Sequence, residues 1–358
     1  MQYLNAINKI PGVGSQKLAL LMSHFENSEQ IWHASETELV SAGLGENLAG
    51  TIVTERKRID PEREFELLAK ENVRIVSIAD DDYPRLLREI HNPPYIIYMR
   101  GSSQCLLRPM IAVVGSRKCT EYGKQTARTL ARDLAMAGVT VVSGLALGID
   151  AIAHRGALDA NGLTVGVLGS SIEKAGITPH TNAMLGEEIV RSGGLLLSEY
   201  SLPTPASAGT FPARNRIMAG MAMGTLVVEA AEGSGSLITA HHALENNREV
   251  FAIPGPIFSA QSRGTNSLIK SGAKIVSSVQ DILEEFSFRQ ATRPTSPPPE
   301  ASTEEEKKIL SLLSSEPLHI DIIIKLSKLE TSTVLSNLAI MEMNEMIRDI
   351  GGHNYIRC

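Results

Sequence analysis

The sequence predicts an α/β fold: a doubly wound, largely parallel sheet, preceded by a helical region and followed by a small helix-and-hairpin domain. Three observations carry that prediction. Between residues 72 and 287, short β-branched or aliphatic runs alternate with helical patterns: "VRIVSI", "IAVVG", "VTVVSG", "LTVGVLG", "GLLLSEY", "TLVVEA" and "EVFAIPG". Most of these runs end in a Gly-rich or polar turn, and runs that are apolar throughout read as strands buried on both faces, as in a parallel sheet covered by helices. On either side of this region the strand pattern gives way to helical periodicity.

In order, residues 1–71 form an N-terminal helical domain. "NKIPGVGSQKLALLMSHF" holds a Pro-Gly-x-Gly turn followed by an apolar-periodic helix. It fits a helix-hairpin-helix, SAM-like in arrangement, whose turn amides can hold a DNA phosphate, and it fits equally an ordinary helical packing unit. The charge run "ERKRIDPERE" reads as a solvated helix face. Residues 72–287 are the sheet domain. "FRQATRPTSPPPEAS", 288–302, is Pro- and Ser-rich and reads as a flexible linker. Residues 303–358 read as three helices, "EEEKKILSLLS", "HIDIIIKLSK" and "ETSTVLSNLAIMEMNEM", then the hairpin "IRDIGGHNYIRC" turning at Gly351-Gly352. Three helices and a hairpin make a winged-helix-like domain. Its acidic residues outnumber its basic ones, which argues against strong DNA binding by this domain alone and leaves a protein-docking or regulatory role open.

The chain has 358 residues, enough for two or three domains, and is 43% hydrophobic, enough for a sizeable core. Its formal net charge of −6 excludes a generally basic nucleic-acid-coating protein, so any anion site must be local. Cys105, Cys119 and Cys358 are far apart and lack metal-ligand spacing, which fits unpaired thiols in a reducing compartment. No signal peptide and no apolar run of transmembrane length is present, so the expectation is a cytoplasmic protein without a membrane partner. Adjacent His241 and His242 cannot share one helix face, and neither a metal nor a cofactor is expected.

The loops after the strands gather the candidate chemistry. Gly115, Ser116 and Arg117 follow the first of them; Gly144, Gly148 and Asp150 follow "VTVVS"; Gly169 and Ser170 follow "LTVGVL". After "GLLLSEY" comes "GTFPARNRIMAG" with Arg214, Asn215 and Arg216, and after "TLVVEA" comes "AEGSGSLITAHHAL". Ligands of such sheets bind beyond the carboxyl ends of the strands. Glycines let a backbone approach a ligand, helix starts offer amides to an anion, and arginine forks match phosphate oxygens. Neither the dinucleotide fingerprint nor the Walker pattern is present. Taken singly, each feature has a plainer reading: a turn glycine, an Arg216 ion pair with Glu199 or Glu229, a core histidine at His154. Five such loops at one rim point to a polyphosphate or nucleic-acid groove. Ser116, Ser143, Ser170, Ser234 and Ser236 are loop hydroxyls, but none lies in G-x-S-x-G, and no carboxylate pair stands in an acid/base arrangement, although Asp150 and Glu232 stay open. No catalytic residue is assigned.

"YPRLLREIHNPPYIIYMRG", "VVGSRKCTEYG", "SGLALGIDAIAHRGAL", "FPARNRIMAG", "VVEAAEGSGSLITA", "VFAIPG" and "RGTNSLIKSGAKIV" together resemble the DprA/Smf family over residues 72–286. The resemblance implies an extended Rossmann-like fold and a protein that binds single-stranded DNA, forms a homodimer, and loads RecA recombinase onto incoming DNA in natural transformation. It is not known as an enzyme family. Carried over by position, the DNA groove comprises Gly115, Ser116, Arg117, Gly144, Arg214, Asn215 and Arg216, joined by His180, Asn182 and Gly235. The dimer and RecA surface falls on "SLITAHHALENN" and "TNSLIKSGA", with Leu244 and Ile269 as the matching apolar positions. Two departures stand out: Thr178-Pro179-His180 where relatives usually read Tyr-Pro-Lys, and Ala208 where some carry a lysine. Both remove a permanent charge, so the grip on DNA is expected to be weaker or pH-dependent through His180. Tyr122, Tyr200 and Phe211 are the available stacking aromatics. The alternative class is a nucleotide-cleaving LOG-type enzyme, marked by P-G-G-x-G-T-x-x-E; "EAAEGSGSLITA" lacks its paired glycines and closing glutamate. A third is a nucleotide-sensing module without a DNA role.

Overall fold

The computed structural model describes residues 1–286, 303–314, 316–344 and 346–357. The linker expected at 288–302 and Cys358 lie outside the described residues. The chain divides into two compact units, Met1–Gln290 and Ala291–Cys358.

The first unit opens with six helices, α1 (Gln2–Asn8), α2 (Ser15–His24), α3 (Ser28–His33), α4 (Glu36–Ser41), α5 (Glu46–Glu55) and α6 (Pro61–Lys70). Short polar residues start several of them. The Asn27 side chain accepts from Gln30 N at the head of α3, Ser35 and Glu38 form a capping box on α4, and Asp60 caps α6 with Pro61 at its first position. These helices do not stand apart from the sheet. The wholly buried Tyr98 hydroxyl donates to Asn5 Oδ1 at 2.9 Å and accepts from Asn8 Nδ2 at 3.2 Å, and one apolar cluster runs from Leu18 and Ile52 through Ile96 to Leu196.

The sheet has nine strands: β1 (Arg74–Ser77), β2 (Ile96–Gly101), β3 (Met110–Val114), β4 (Thr140–Ser143), β5 (Thr164–Val167), β6 (Leu195–Ser198), β7 (Gly224–Val227), β8 (Glu249–Ala252) and β9 (Lys274–Ile275). Their spatial order is β1-β2-β6-β5-β4-β3-β7-β8-β9. From β6 to β9 all neighbours are parallel, whereas β2 pairs antiparallel with both β1 and β6. Strands β2 and β9 are not among the seven runs read as strands. The antiparallel edge is therefore an addition to the parallel sheet.

The intervening helices are α7 (Arg85–Arg88), α8 (Glu121–Met136), α9 (Ile149–Asp159), α10 (Ala183–Arg191), α11 (Thr210–Met221), α12 (Gly235–Glu245), α13 (Arg263–Lys270) and α14 (Val279–Glu285). They cover both faces. Along β3, Ile111 and Val113 pack with α8 and α9, while Ala112 and Val114 pack with α11 and α12, the alternation a strand's two-residue period dictates. This is the extended Rossmann-like, doubly wound arrangement. From β3 the chain moves through β4, β5 and β6 on one side, then returns through α11 to β7 on the other. The connections diverge beyond the carboxyl ends of β3 and β7, where such sheets bind ligands.

The second unit carries α15 (Glu304–Leu312), β10 (Leu318–His319), α16 (Ile320–Ser327), α17 (Thr331–Met343), β11 (Ile347–Asp349) and β12 (Asn354–Arg357), with sheet order β10-β12-β11. Thr303 and Glu306 form the capping box that starts α15, and Gly351 and Gly352 take the positive φ that the β11–β12 hairpin turn needs. It is a winged helix with its own apolar core.

Candidate nucleic-acid interface

A cleft of about 890 Å³ opens where the connections from β3 and β7 part. Its floor is the loop after β3. Ser116 N donates to Glu229 O at 2.8 Å, which continues the β3–β7 ladder beyond the strands, and Ser116 Oγ accepts from Lys118 N at 3.1 Å. Ile149 N donates back to Ser116 O at 3.2 Å, pressing the start of α9 against the same loop. Gly148 makes that approach possible: its φ is +77°, and a Cβ there would stand 2.3 Å from Ser116 O.

Buried Asp150 ties the second loop together. Its carboxylate accepts from Gly144 N at 3.1 Å and from the Ala146 amide. The loop amides expected to hold a ligand phosphate are thus already occupied by the protein's own carboxylate. Burial pushes the Asp150 carboxyl above its ordinary range, and Arg214 is the largest influence opposing that rise.

Arg214 is only 4% exposed. Its Nη1 donates to Gly144 O at 2.6 Å and also to Val167 O, so one guanidinium joins the ends of β4 and β5. Gly144 leaves room for it, since a Cβ there would meet Nη1 at 2.1 Å. Asn215 donates to Gly235 O at 3.3 Å, linking α11 to the start of α12. Asn182 donates to Leu145 O at 2.8 Å and Ala146 O at 3.1 Å, pinning the loop after β4 from behind. Arg216 points elsewhere: it pairs with Glu199 and lines a second cleft on the other side of α11. His180 is exposed and does not line the first cleft, whereas Thr178 and Ala208 do.

The cations of this cleft left facing solvent are Arg117 and Lys118, both exposed and without a carboxylate partner among the described residues. The Arg117 guanidinium sits 5.2 Å from the centroid of the Phe211 ring, a cation–π contact that holds it over the cleft. Lys118 escaped the sequence reading, although a second cation beside Arg117 was the signal. Of the three aromatics, Phe211 lines the cleft; Tyr200 lines the second cleft, and Tyr122 lies in a separate hollow, donating to Pro254 O at 3.1 Å.

Several of the ionisable groups that could suggest catalysis are held within the protein. Glu229 accepts from Thr120 N at 2.9 Å and from the Thr120 hydroxyl. Fully buried His154 lies 2.7 Å from Thr164 Oγ1 and is pushed down to about 3 by burial, which keeps it neutral. Glu232 is exposed at the rim. His241 and His242 both reach Glu245, and no group of three His, Cys, Asp or Glu side chains that could hold a metal occurs among the described residues. Among those residues, too, no helix is long and apolar enough to cross a membrane.

The arrangement can grip anionic oxygens along an open trough through Arg117 and Lys118, with an aromatic face beside them. Comparison with known proteins fits that geometry. The family model described as DNA recombination-mediator protein A matches residues 74–287, and one described as DprA winged helix domain matches 293–353. The chain is 33% identical to Protein Smf of Synechocystis sp. over 99% of its own length and 98% of the relative's. It is 42% identical to DNA processing protein DprA of Streptococcus pneumoniae over 59% of this chain and 74% of that one. The X-ray structure of DprA from S. pneumoniae superposes with a TM-score of 0.69 at 35% identity, covering 81% of this chain and 99% of that one. A Helicobacter pylori DprA structure, described in terms of its single-stranded DNA binding mode, superposes with a TM-score of 0.54 at 30% identity, covering 61% of this chain and 97% of that one. From its N-terminal helices to its winged helix, this chain belongs to the DprA/Smf family.

Proposed function

We propose that this chain binds single-stranded DNA along the first cleft, as a binding protein rather than an enzyme, and that it protects incoming DNA and loads RecA onto it in transformation and recombination. The observation that carries the reading is the pair of exposed cations, Arg117 and Lys118, which have no carboxylate partner among the described residues, with Arg117 held against the Phe211 ring at the carboxyl end of the sheet. Cations and an aromatic face bind a sugar-phosphate backbone and stack bases without reading their edges. The single-strand binding mode of the H. pylori relative supports it. Gly115, Ser116, Gly144 and Gly235 shape this groove, while Arg214, Asn215 and Asn182 hold its loops in place. Leu244 on α12 and Ile269 on α13 are proposed as the homodimer and RecA surface. This work is done on cytoplasmic DNA.

The test is fluorescence anisotropy on single- and double-stranded oligonucleotides at several salt concentrations, with AMP as competitor. Single strands should bind more tightly than duplexes, poly-dT and mixed sequence alike, and AMP should be neither cleaved nor competitive. Arg117→Ala should weaken every single strand by a similar factor and shallow the salt slope by about 0.7 for the lost phosphate contact. Unchanged affinity and slope in a folded variant would remove Arg117 from the site, and cleavage of AMP would favour the LOG-type alternative.

A further inference from the structure

The second cleft, of about 610 Å³, lies between the α1–α2 turn and the far side of α11. One wall is the Pro-Gly-x-Gly turn, which the sequence left open between a phosphate-holding hairpin and plain helical packing. The turn Ile10–Gly14 presents exposed Pro11, Gly12 and Gly14, and the amides of Gly12, Gly14, Ser15 and Gln16 have no acceptor among the described residues. Gly14 stands at the N-cap of α2 without a side chain to cap it. Lys17, in the first turn of this ten-residue helix, is half-buried in the cleft wall and has no ion-pair partner among the described residues. On the opposite wall, Arg216 gives one nitrogen to Glu199 and keeps buried Nη1 without any hydrogen-bond partner. Uncapped amides, an unpaired lysine and an arginine nitrogen lacking an acceptor all call for one thing, an anionic oxygen.

The two clefts back onto the same segment. Ala206, Ser207, Ala208 and Pro212 line the first, while Thr204 and Ala213 line the second, so about one helix diameter, ~10 Å, separates them. We propose that the α1–α2 turn is a second backbone-phosphate site, which takes the same single strand as it leaves the first cleft. The ligand chemistry is a phosphodiester, held by the turn amides and Lys17. The inference rests on the reading of the first cleft as a single-strand groove.

The experiment uses the full chain and a ladder of oligo-dT from about 4 to about 16 nucleotides, the span single-strand grooves cover. Two variants probe the site. Lys17→Gln removes the charge. Gly14→Asp fills the amides with the protein's own carboxylate; its backbone, at φ −102° and ψ −179°, is open to any residue, and an added Cβ meets nothing within 4 Å. Asp is a favoured N-cap, so its melting temperature should hold or rise, which separates lost binding from lost folding. Both variants should bind the shortest strands as the parent does, lose about five- to tenfold on the longest, and shallow the salt slope there by about 0.7. Unchanged affinity for long strands overturns the proposal. So does an equal loss at every length, which would place Lys17 in the first groove. Loss confined to oligonucleotides with a duplex flank would make a duplex the source of the phosphate and overturn the single-strand path. Arg117→Ala, run alongside, keeps the readings apart: loss there at every length, with none at Lys17 or Gly14, sinks only the second site.

Discussion

Arg117, Arg214 and Arg216 look alike in the sequence and do three different things. Arg117 stays at the rim, Arg214 is buried between strand ends, and Arg216 faces away with Glu199. Part of this was legible. Residues 214 and 216 lie two apart on a helix, about 200° around its axis, so they cannot share a face. The burial of Arg214 was not legible, because it depends on carbonyls of Gly144 and Val167 that are distant in sequence. Removing the Arg214 side chain takes a donor from two buried carbonyls and the largest opposing charge from Asp150. Arg214→Ala should therefore cost roughly 3 kcal/mol or more of stability, whereas Arg117→Ala should leave stability nearly unchanged. The pH dependence has a definite sign. A carboxyl held above its ordinary range, as burial holds Asp150, costs stability while charged; that cost is absent below its unfolded pKa and grows as pH rises toward its folded value. Loss of Arg214 raises Asp150 further, so the deficit should be greatest near neutral pH and shrink on mild acidification. Urea melts of both proteins across that range measure it; a deficit independent of pH would detach Asp150 from Arg214.

At the scale of elements, the strands of the parallel core announced themselves through apolar runs and glycine turns. Strands β2 and β9 did not. β2 follows Pro93 and Pro94 and acquires strand character by pairing with β6, nearly a hundred residues on, a partnership no local pattern encodes. β9 has two residues, too few to show any period. The α12 and α13 helices raise the question of what covers their outer side. Leu244 is 57% exposed near the end of α12, Ile269 is half-buried on α13, and Ile257 and Phe258, at 76% and 91%, stand exposed in the loop between β8 and α13. Large apolar groups exposed in such numbers mark interaction surfaces. If two copies meet here, Leu244→Arg with Ile269→Arg should yield a folded monomer by light scattering at micromolar concentration. A double variant that remains dimeric would move the interface elsewhere.

For the whole molecule, the C-terminal winged helix was readable from the three helical patterns and the Gly351-Gly352 hairpin near the end of the sequence. The union of the N-terminal helices with the sheet was not, since it turns on contacts such as Asn5 with Tyr98. The winged helix has an apolar core of its own, from Ile309 to Tyr355, and forms a compact unit separate from Met1–Gln290. Deleting residues 290–358 should therefore leave the first unit folded. Its effect on DNA follows from charge. Helix α17 carries no lysine or arginine and exposes Leu335 and Ile340, while α16 exposes Ile322 and Leu326. A helix without cations neither releases counterions from phosphates nor forks onto base edges, so it is poorly suited to reading DNA and better suited to an apolar protein contact. Both clefts, with Arg117, Lys118 and Lys17, remain in the truncated chain. Its affinity for single strands should stay within a few-fold of the full chain's, with the same salt slope, by anisotropy on matched oligonucleotides. A collapse of binding in a truncated protein that still melts cooperatively would mean that the winged helix supplies a main DNA contact despite its charge.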